Sequence, residues 1–163
     1  LKTWTLFDLA RQTMIAAIYA VLVYIFSFAS FGLIQFRIAE ALMILVFFDK
    51  KSVVGLTLGV FVSSLIYGAI PLDLILGPIA TLLAGIFMMI FKKKPILSMI
   101  FPALFNGVII GYVLTYGYLL GTLGVTMSSV FIGEVAVLYL LGLPLYLVLK
   151  KNKGFLEFFD QRK

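Results

Sequence analysis

The chain contains neither cysteine nor histidine. Those absences exclude disulfides, the usual zinc sites, haem held through imidazole, and nucleophile chemistry of the Cys/His or Ser/His kind. Charge is scarce as well: 12% of the 163 residues are charged and 63% are hydrophobic, with a mean hydropathy of +1.18. Soluble domains use about 25% charged and about 45 to 50% apolar residues, so this is the composition of a membrane protein. No G-x-x-x-x-G-K-[ST] phosphate loop is present, and any ATP dependence has to come from a partner. With no metal-ligand or nucleophile set, the sequence reads as a protein that is not an enzyme and carries no cofactor or metal.

What is present is a series of long apolar runs. A bilayer span needs about 20 such residues, and reading between charges and turn residues predicts six spans: 12–31, 34–48, 52–70, 72–91, 95–118 and 125–149. The first run exceeds the roughly 7 to 15 residues of a signal-peptide core and has no convincing cleavage site, so it reads as a span. The second is short, and only Gly32 separates it from the first. In "AIPLD", Pro71 cannot continue a helix and Asp73 favours the start of the next one. The expected fold is an all-α integral membrane protein with 1–163 as one transmembrane domain.

The basic residues set the orientation. Lys2 and Arg11 precede the first span, Lys50 and Lys51 follow the second, Lys92 to Lys94 follow the fourth, and Lys150, Lys151, Lys153, Arg162 and Lys163 follow the sixth. Each cluster is two spans from the next, so one orientation puts all of them in the cytoplasm with both termini inside, as the positive-inside tendency requires. The same distribution argues against nucleic acid despite the net charge of +6, because a basic groove needs cations clustered on a soluble surface. Arg37, in "IQFRIAEA", is the one basic residue left on the far side.

Polar groups gather towards that side. An ionised side chain at a span centre costs about 2.5 to 3.5 kcal/mol on insertion scales, so it faces a cavity or a partner. Glu134, in "SSVFIGEVAVLYL", is either a ligand-binding carboxylate or one satisfied by Arg37 or Asn106. Asn106, in "FPALFNGVIIGY", either joins helices or reads a polar ligand edge. Arg37 and Glu40 share a face if helical; they either pair with each other or brace a rim above a pocket that Gln35 and Phe36 touch. Tyr112, Tyr116 and Tyr118 form either an interfacial aromatic belt or a stacking surface. Small residues recur at spacing four, as Ala16 and Ala20, Gly55 and Gly59, and Gly107 and Gly111. Such faces let helix backbones approach closely, and the first of them suits either internal packing or another subunit.

At "QFRIAEAL" and "PLDLILGPIAT", together with "GLTLGVFVSSLI", "FPALFNGVIIG" and "IGEVAVLYLLGLPL", the chain resembles the QueT family, the queuosine-precursor substrate-binding (S) components of energy-coupling factor (ECF) transporters. The likeness runs from about Arg11 to Leu149. It departs near the end of the third span, where relatives carry an asparagine and this chain has Ser63 and Ser64. The resemblance implies a six-helix, multi-pass protein of the bacterial cell membrane that captures a 7-deazaguanine from outside. Its cargo would be the 7-cyano or 7-aminomethyl base, or queuine. It also implies docking on a transmembrane coupling subunit with two cytoplasmic ATPases, through Ala16 and Ala20. Ligand binding would fall to Gln35, Phe36, Asp73, Asn106 and Glu134, with Arg37, Glu40 and Tyr112 beside them. A carboxylate can accept both the ring N1–H and the exocyclic amine of such a base, and Glu134 is the expected acceptor. The competing expectation is an autonomous proton-coupled secondary transporter of a small polar metabolite, with Glu134 as the relay.

Overall fold

A computed structural model describes residues 4–30 and 35–159. The described residues form helices and no strands. Four helices are long and apolar enough to cross a membrane: α1 (Leu6–Ile25), α4 (Pro71–Ile90), α5 (Pro95–Gly117) and α6 (Leu123–Leu149). Two shorter apolar helices, α2 (Ile38–Phe47) and α3 (Ser52–Tyr67), lie between α1 and α4 in the chain. Short helices at Ser27–Ser30 and Lys153–Phe159 follow α1 and α6. The molecule is a multi-pass membrane protein whose outward faces are apolar, with Phe61, Ile75, Leu104, Leu140 and Val148 all exposed.

Local chemistry sets the ends of the helices. Thr5 and Asp8 form a capping box, in which the Thr5 hydroxyl accepts from the Asp8 amide at 3.1 Å and the Asp8 carboxylate accepts from the Thr5 amide at 3.0 Å. α1 therefore starts at Leu6, and Arg11 lies within it rather than ahead of a span beginning at residue 12. The expected ends of the first span at Phe31 and start of the second at Ile34, like Gly32, Lys2, Arg162 and Lys163, fall outside the described residues. α3 stops at Gly68, whose φ of 75° suits a residue without Cβ, and Pro71 opens α4 as expected.

α2 differs most from a plain span. It is wound as a 3-10 helix of 10 residues, about 20 Å long at about 2.0 Å per residue, short of a hydrocarbon core of about 30 Å. It occupies the centre of the molecule, touching α1, α3, α4 and α6. Ala39, Glu40, Ala41, Met43, Ile44, Leu45 and Val46 are all buried, which explains why its sequence is apolar on every side. Around it run the successive contacts α1 to α3, α3 to α4, α4 to α5 and α5 to α6.

Glycines make two of those contacts possible. A Cβ on Gly59 would lie 2.7 Å from Cβ of Tyr19, and one on Gly111 would lie 2.7 Å from Cα of Met127. The spacing-four glycines of α3 and α5 are thus internal packing faces. Ala16 and Ala20 join the same α1–α3 interface: they are 9% and 7% exposed, and the Ala16 carbonyl lies 3.2 Å from where a Gly59 Cβ would stand. These two alanines, expected to meet a partner, lie against the chain's own α3.

At one end of the molecule the start of α1, the α2–α3 turn and the helix Lys153–Phe159 meet. Arg11 pairs with Asp8 at 2.9 Å and with Asp49 at 2.8 Å, and Lys51 pairs with Asp8. Gln12 donates to Asp49 at 3.1 Å, and Arg11 donates to the Phe158 carbonyl at 3.0 Å while lying over the Phe7 and Phe159 rings. Removing one partner from such a buried network leaves a charge uncompensated, so the three segments are held as a unit.

Candidate functional site

Away from that ionic end, polar side chains from five helices and one loop are enclosed together. Glu134 of α6 and Asn106 of α5 are each 1% exposed, and Asn106 Nδ2 donates to Glu134 Oε1 at 3.1 Å. Glu40 of α2 is fully buried beside them; the Tyr19 hydroxyl of α1 donates to its Oε1 at 2.6 Å, and the Asn106 amide lies against it as well. Asn106 thus stands between two carboxylates. Arg37, just before α2, is buried within electrostatic reach of Glu40, Asp73 and Glu134, and its Nη2 donates to Gln35 Oε1 at 3.4 Å.

The loop reaches this position because of Gly133. A Cβ there would stand 2.3 Å from the Gln35 carbonyl oxygen, so the loop backbone lies directly on α6, one residue from Glu134. Gln35 and Arg37 are buried while Phe36 between them is 42% exposed. That alternation turns the two polar side chains towards the cluster and Phe36 away from it. Arg37 is not on the helix with Glu40, as a shared face would require; its carbonyl accepts from the Glu40 amide at 2.8 Å and opens α2.

Asp73 forms the edge of the cluster. It is buried in the first turn of α4, and the Tyr118 hydroxyl donates to its Oδ2 at 3.1 Å while accepting from the Ile70 amide at 3.3 Å. The structure therefore joins Glu134, Asn106, Glu40, Arg37, Gln35 and Asp73, all of them expected from the sequence. It sets Phe36 and Tyr112 apart. Tyr112 is 45% exposed and its ring lies tilted against that of Tyr116 with centroids 4.8 Å apart, the outward arrangement of an aromatic belt.

Sequence reasoning missed Tyr19. The available signal was its position, since a tyrosine in the middle of an apolar run has to place a hydroxyl where no water is. Tyr118 was read with the belt, yet its hydroxyl is a structural link between Ile70 and Asp73.

The arrangement of bonds is the chemically informative feature. Each carboxylate has one oxygen held and one open: Glu40 Oε2 and Glu134 Oε2 have no hydrogen-bond partner among the described residues, nor have Asn106 Oδ1 and Asp73 Oδ1. Buried acceptors are nearly always satisfied, and each one left bare costs about 1 to 3 kcal/mol. A cluster of them, with an arginine beside it, is chemically able to accept hydrogen bonds from a polar molecule bearing several N–H groups. Among the described residues no group of three or more Asp, Glu, Cys or His is placed to hold a metal ion.

Comparison with known proteins supplies the wider frame. A family model described as "QueT transporter" matches residues 9–151. A relative from Lactococcus lactis subsp. cremoris (strain MG1363), named "Queuosine precursor transporter QueT", is 33% identical over 78 residues. That alignment spans 47% of this chain and 46% of the relative, about half the length of each. No solved structure matches the chain. The family match covers nearly the whole sequence, so the chain belongs to the QueT transporter family.

Proposed function

We propose that this member of the QueT transporter family is the substrate-binding subunit of an energy-coupling factor importer in a bacterial cell membrane. In this reading it captures a queuosine precursor, a 7-deazaguanine base, from outside the cell. The observation that carries it is the set of unsatisfied buried acceptors, Glu134 Oε2, Asn106 Oδ1 and Glu40 Oε2, gathered beside Arg37. A 7-deazaguanine presents its ring N1–H and exocyclic amine side by side, and a carboxylate accepts both. Glu134 takes that edge, Asn106 Oδ1 accepts another ring N–H, and the Arg37 guanidinium faces the carbonyl. Asp73 or Glu40 attracts the ammonium of an aminomethyl substituent.

The orientation belongs to the same proposal. Six helices span or enter the bilayer with both termini inside. The contacts that gather Arg11, Lys51 and the segment around Phe158 at one end support a cytoplasmic location for that end. The polar cluster then lies towards the outside. With no phosphate loop of its own, the chain draws its energy from two cytoplasmic ATPases through a transmembrane coupling subunit. Because α3 covers Ala16 and Ala20, that subunit meets the outward face of α1, where the small residues Thr13 and Ala17 are exposed.

Calorimetric titration of the purified protein against guanine, the cyano and aminomethyl 7-deazaguanines and queuine tests the ligand. Saturable binding of a 7-deazaguanine is expected, and no heat with any of them overturns the assignment. Uptake in cells lacking the ATPases tests the coupling. Import is expected to stop; import that continues assigns Glu134 instead to a proton-coupled carrier.

Tyr19→Phe gives a smaller expected effect. Losing the 2.6 Å bond frees Glu40 Oε1 and misplaces the carboxylate, so affinity for the base falls about 5- to 10-fold, in line with about 1 kcal/mol for one hydrogen bond. Calorimetry on the variant checks this, and unaltered affinity would take Tyr19 out of the site.

A further inference from the structure

A groove of about 430 Å³ lies between the start of α5 and the middle of α6, lined by Lys94, Pro95, Ile96, Leu97 and Tyr139. Its position differs from that of the polar cluster, since none of its lining residues belongs to that site. Lys94 is exposed in the groove's lining, Lys92 and Lys93 are exposed next to it in the chain, and the walls are otherwise apolar. Ile96 and Leu97 are themselves largely exposed. Tyr139 donates to the Ile96 carbonyl at 2.8 Å, which fixes one wall on the other and keeps the groove open in this shape.

Among the described residues these charges have no counter-ions. The ion pairs among the described residues involve Arg11, Lys51, Asp8 and Asp49, and none of them includes Lys92, Lys93 or Lys94. The turn carrying the lysines joins two membrane-crossing helices, so it stands at the boundary where hydrocarbon gives way to headgroups. A cation at that level with an apolar trough leading inward matches a single molecule having an anionic head and a hydrocarbon tail. Basic pockets between membrane helices on the cytoplasmic side hold anionic lipid headgroups by this complementarity.

We propose that this groove is a binding site for one anionic phospholipid of the surrounding leaflet. Its phosphate pairs with Lys94, assisted by Lys92 and Lys93, and part of one acyl chain lies against Ile96, Leu97 and the Tyr139 ring. The bound lipid caps the α4–α5 turn and joins α5 to α6 at that end, complementing the Tyr139 bond. The site does not depend on which base the transporter carries.

Thermal unfolding of the detergent-purified full chain tests the proposal, with phosphatidylglycerol, phosphatidylcholine or inorganic phosphate added in parallel, alongside native mass spectrometry for retained lipid. Phosphatidylglycerol is expected to raise the midpoint by several degrees and to remain as one bound molecule. Phosphatidylcholine and inorganic phosphate are expected to do neither. Lys94→Gln removes the charge at an exposed position and is expected to weaken phosphatidylglycerol retention at least tenfold. Leu97→Trp fills the trough and is expected to do the same with every lysine intact. Equal effects of phosphatidylcholine or of inorganic phosphate would overturn the proposal, as would full retention in either variant. Circular dichroism of the lipid-free variants, matching the parent, ties any loss to the groove.

Discussion

Glu134→Gln is expected to weaken binding of 7-deazaguanines about 10- to 100-fold while leaving the helical content and unfolding midpoint close to those of the parent. The amide keeps an oxygen for Asn106 Nδ2, so the 3.1 Å link between α5 and α6 persists. What is lost is the second acceptor. Glu134 Oε2 is replaced by an NH2 that faces the donor edge of the base, and two groups that each offer protons cannot bond. A hydrogen bond to a charged group contributes about 1.5 to 3 kcal/mol, and each 1.4 kcal/mol is about a factor of ten in affinity. Calorimetric titration in detergent reads the affinity directly. Undiminished binding by the variant would exclude Glu134 from ligand contact and leave it as a helix-joining residue.

Gly133→Ala is expected to be more damaging still, although it adds one methyl group and touches no polar side chain. The new Cβ would stand 2.3 Å from the Gln35 carbonyl oxygen and 3.0 Å from its carbonyl carbon. No rotamer relieves this, because a Cβ is fixed by its own backbone and the group it meets is backbone, so the loop has to lift off α6. Gln35 and Arg37 move with it, and the cluster loses its only described cation and one wall. Overpacking of this kind costs about 1 to 3 kcal/mol of stability, and the displaced loop is expected to abolish measurable binding of the base. Gly124→Ala is the control. Gly124 lies on the same helix with open space around it, so neither stability nor affinity is expected to change beyond a few tenths of a kcal/mol. Equal behaviour of the two variants, in melting and in titration, would show that the loop does not depend on Gly133.

Much of this architecture is legible in the sequence because membrane spans are written in long apolar runs broken by turn chemistry. Pro71 and Gly68 mark the α3–α4 turn, and α4, α5 and α6 begin and end within two residues of their expected bounds. The polar cluster is legible for a related reason. Charge and amide groups are so rare within the spans that Glu134, Asn106, Arg37 and Glu40 stand out one by one, and burial cost then requires them to meet. What periodicity could not supply was their pairing. Tyr19 meets Glu40 across 21 residues and Asp8 meets Lys51 across 43, distances at which only tertiary packing decides. The same holds for Arg11, which is buried within α1 because Asp8 and Asp49 neutralise it. The winding of α2 was equally hidden, since an apolar decapeptide fits a lipid-facing span and a buried strut alike. The neighbour of Ala16 and Ala20 was hidden too: a smooth helix face reads the same whether it meets a foreign chain or the chain's own glycines.

One consequence of how α1 is seated concerns communication along the molecule. Gln12 and Tyr19 lie on the same side of one straight rod, about 10 Å apart at about 1.5 Å per residue, and both rest in the furrow left by Gly55 and Gly59. The foot of that rod is clamped by Asp49 while its upper part steadies Glu40. A twist of α1 at the foot, small enough to leave the furrow occupied, swings the phenol off its carboxylate. Torque applied at that foot would thus loosen the Tyr19–Glu40 contact without any displacement of the helices that carry Asn106 and Glu134.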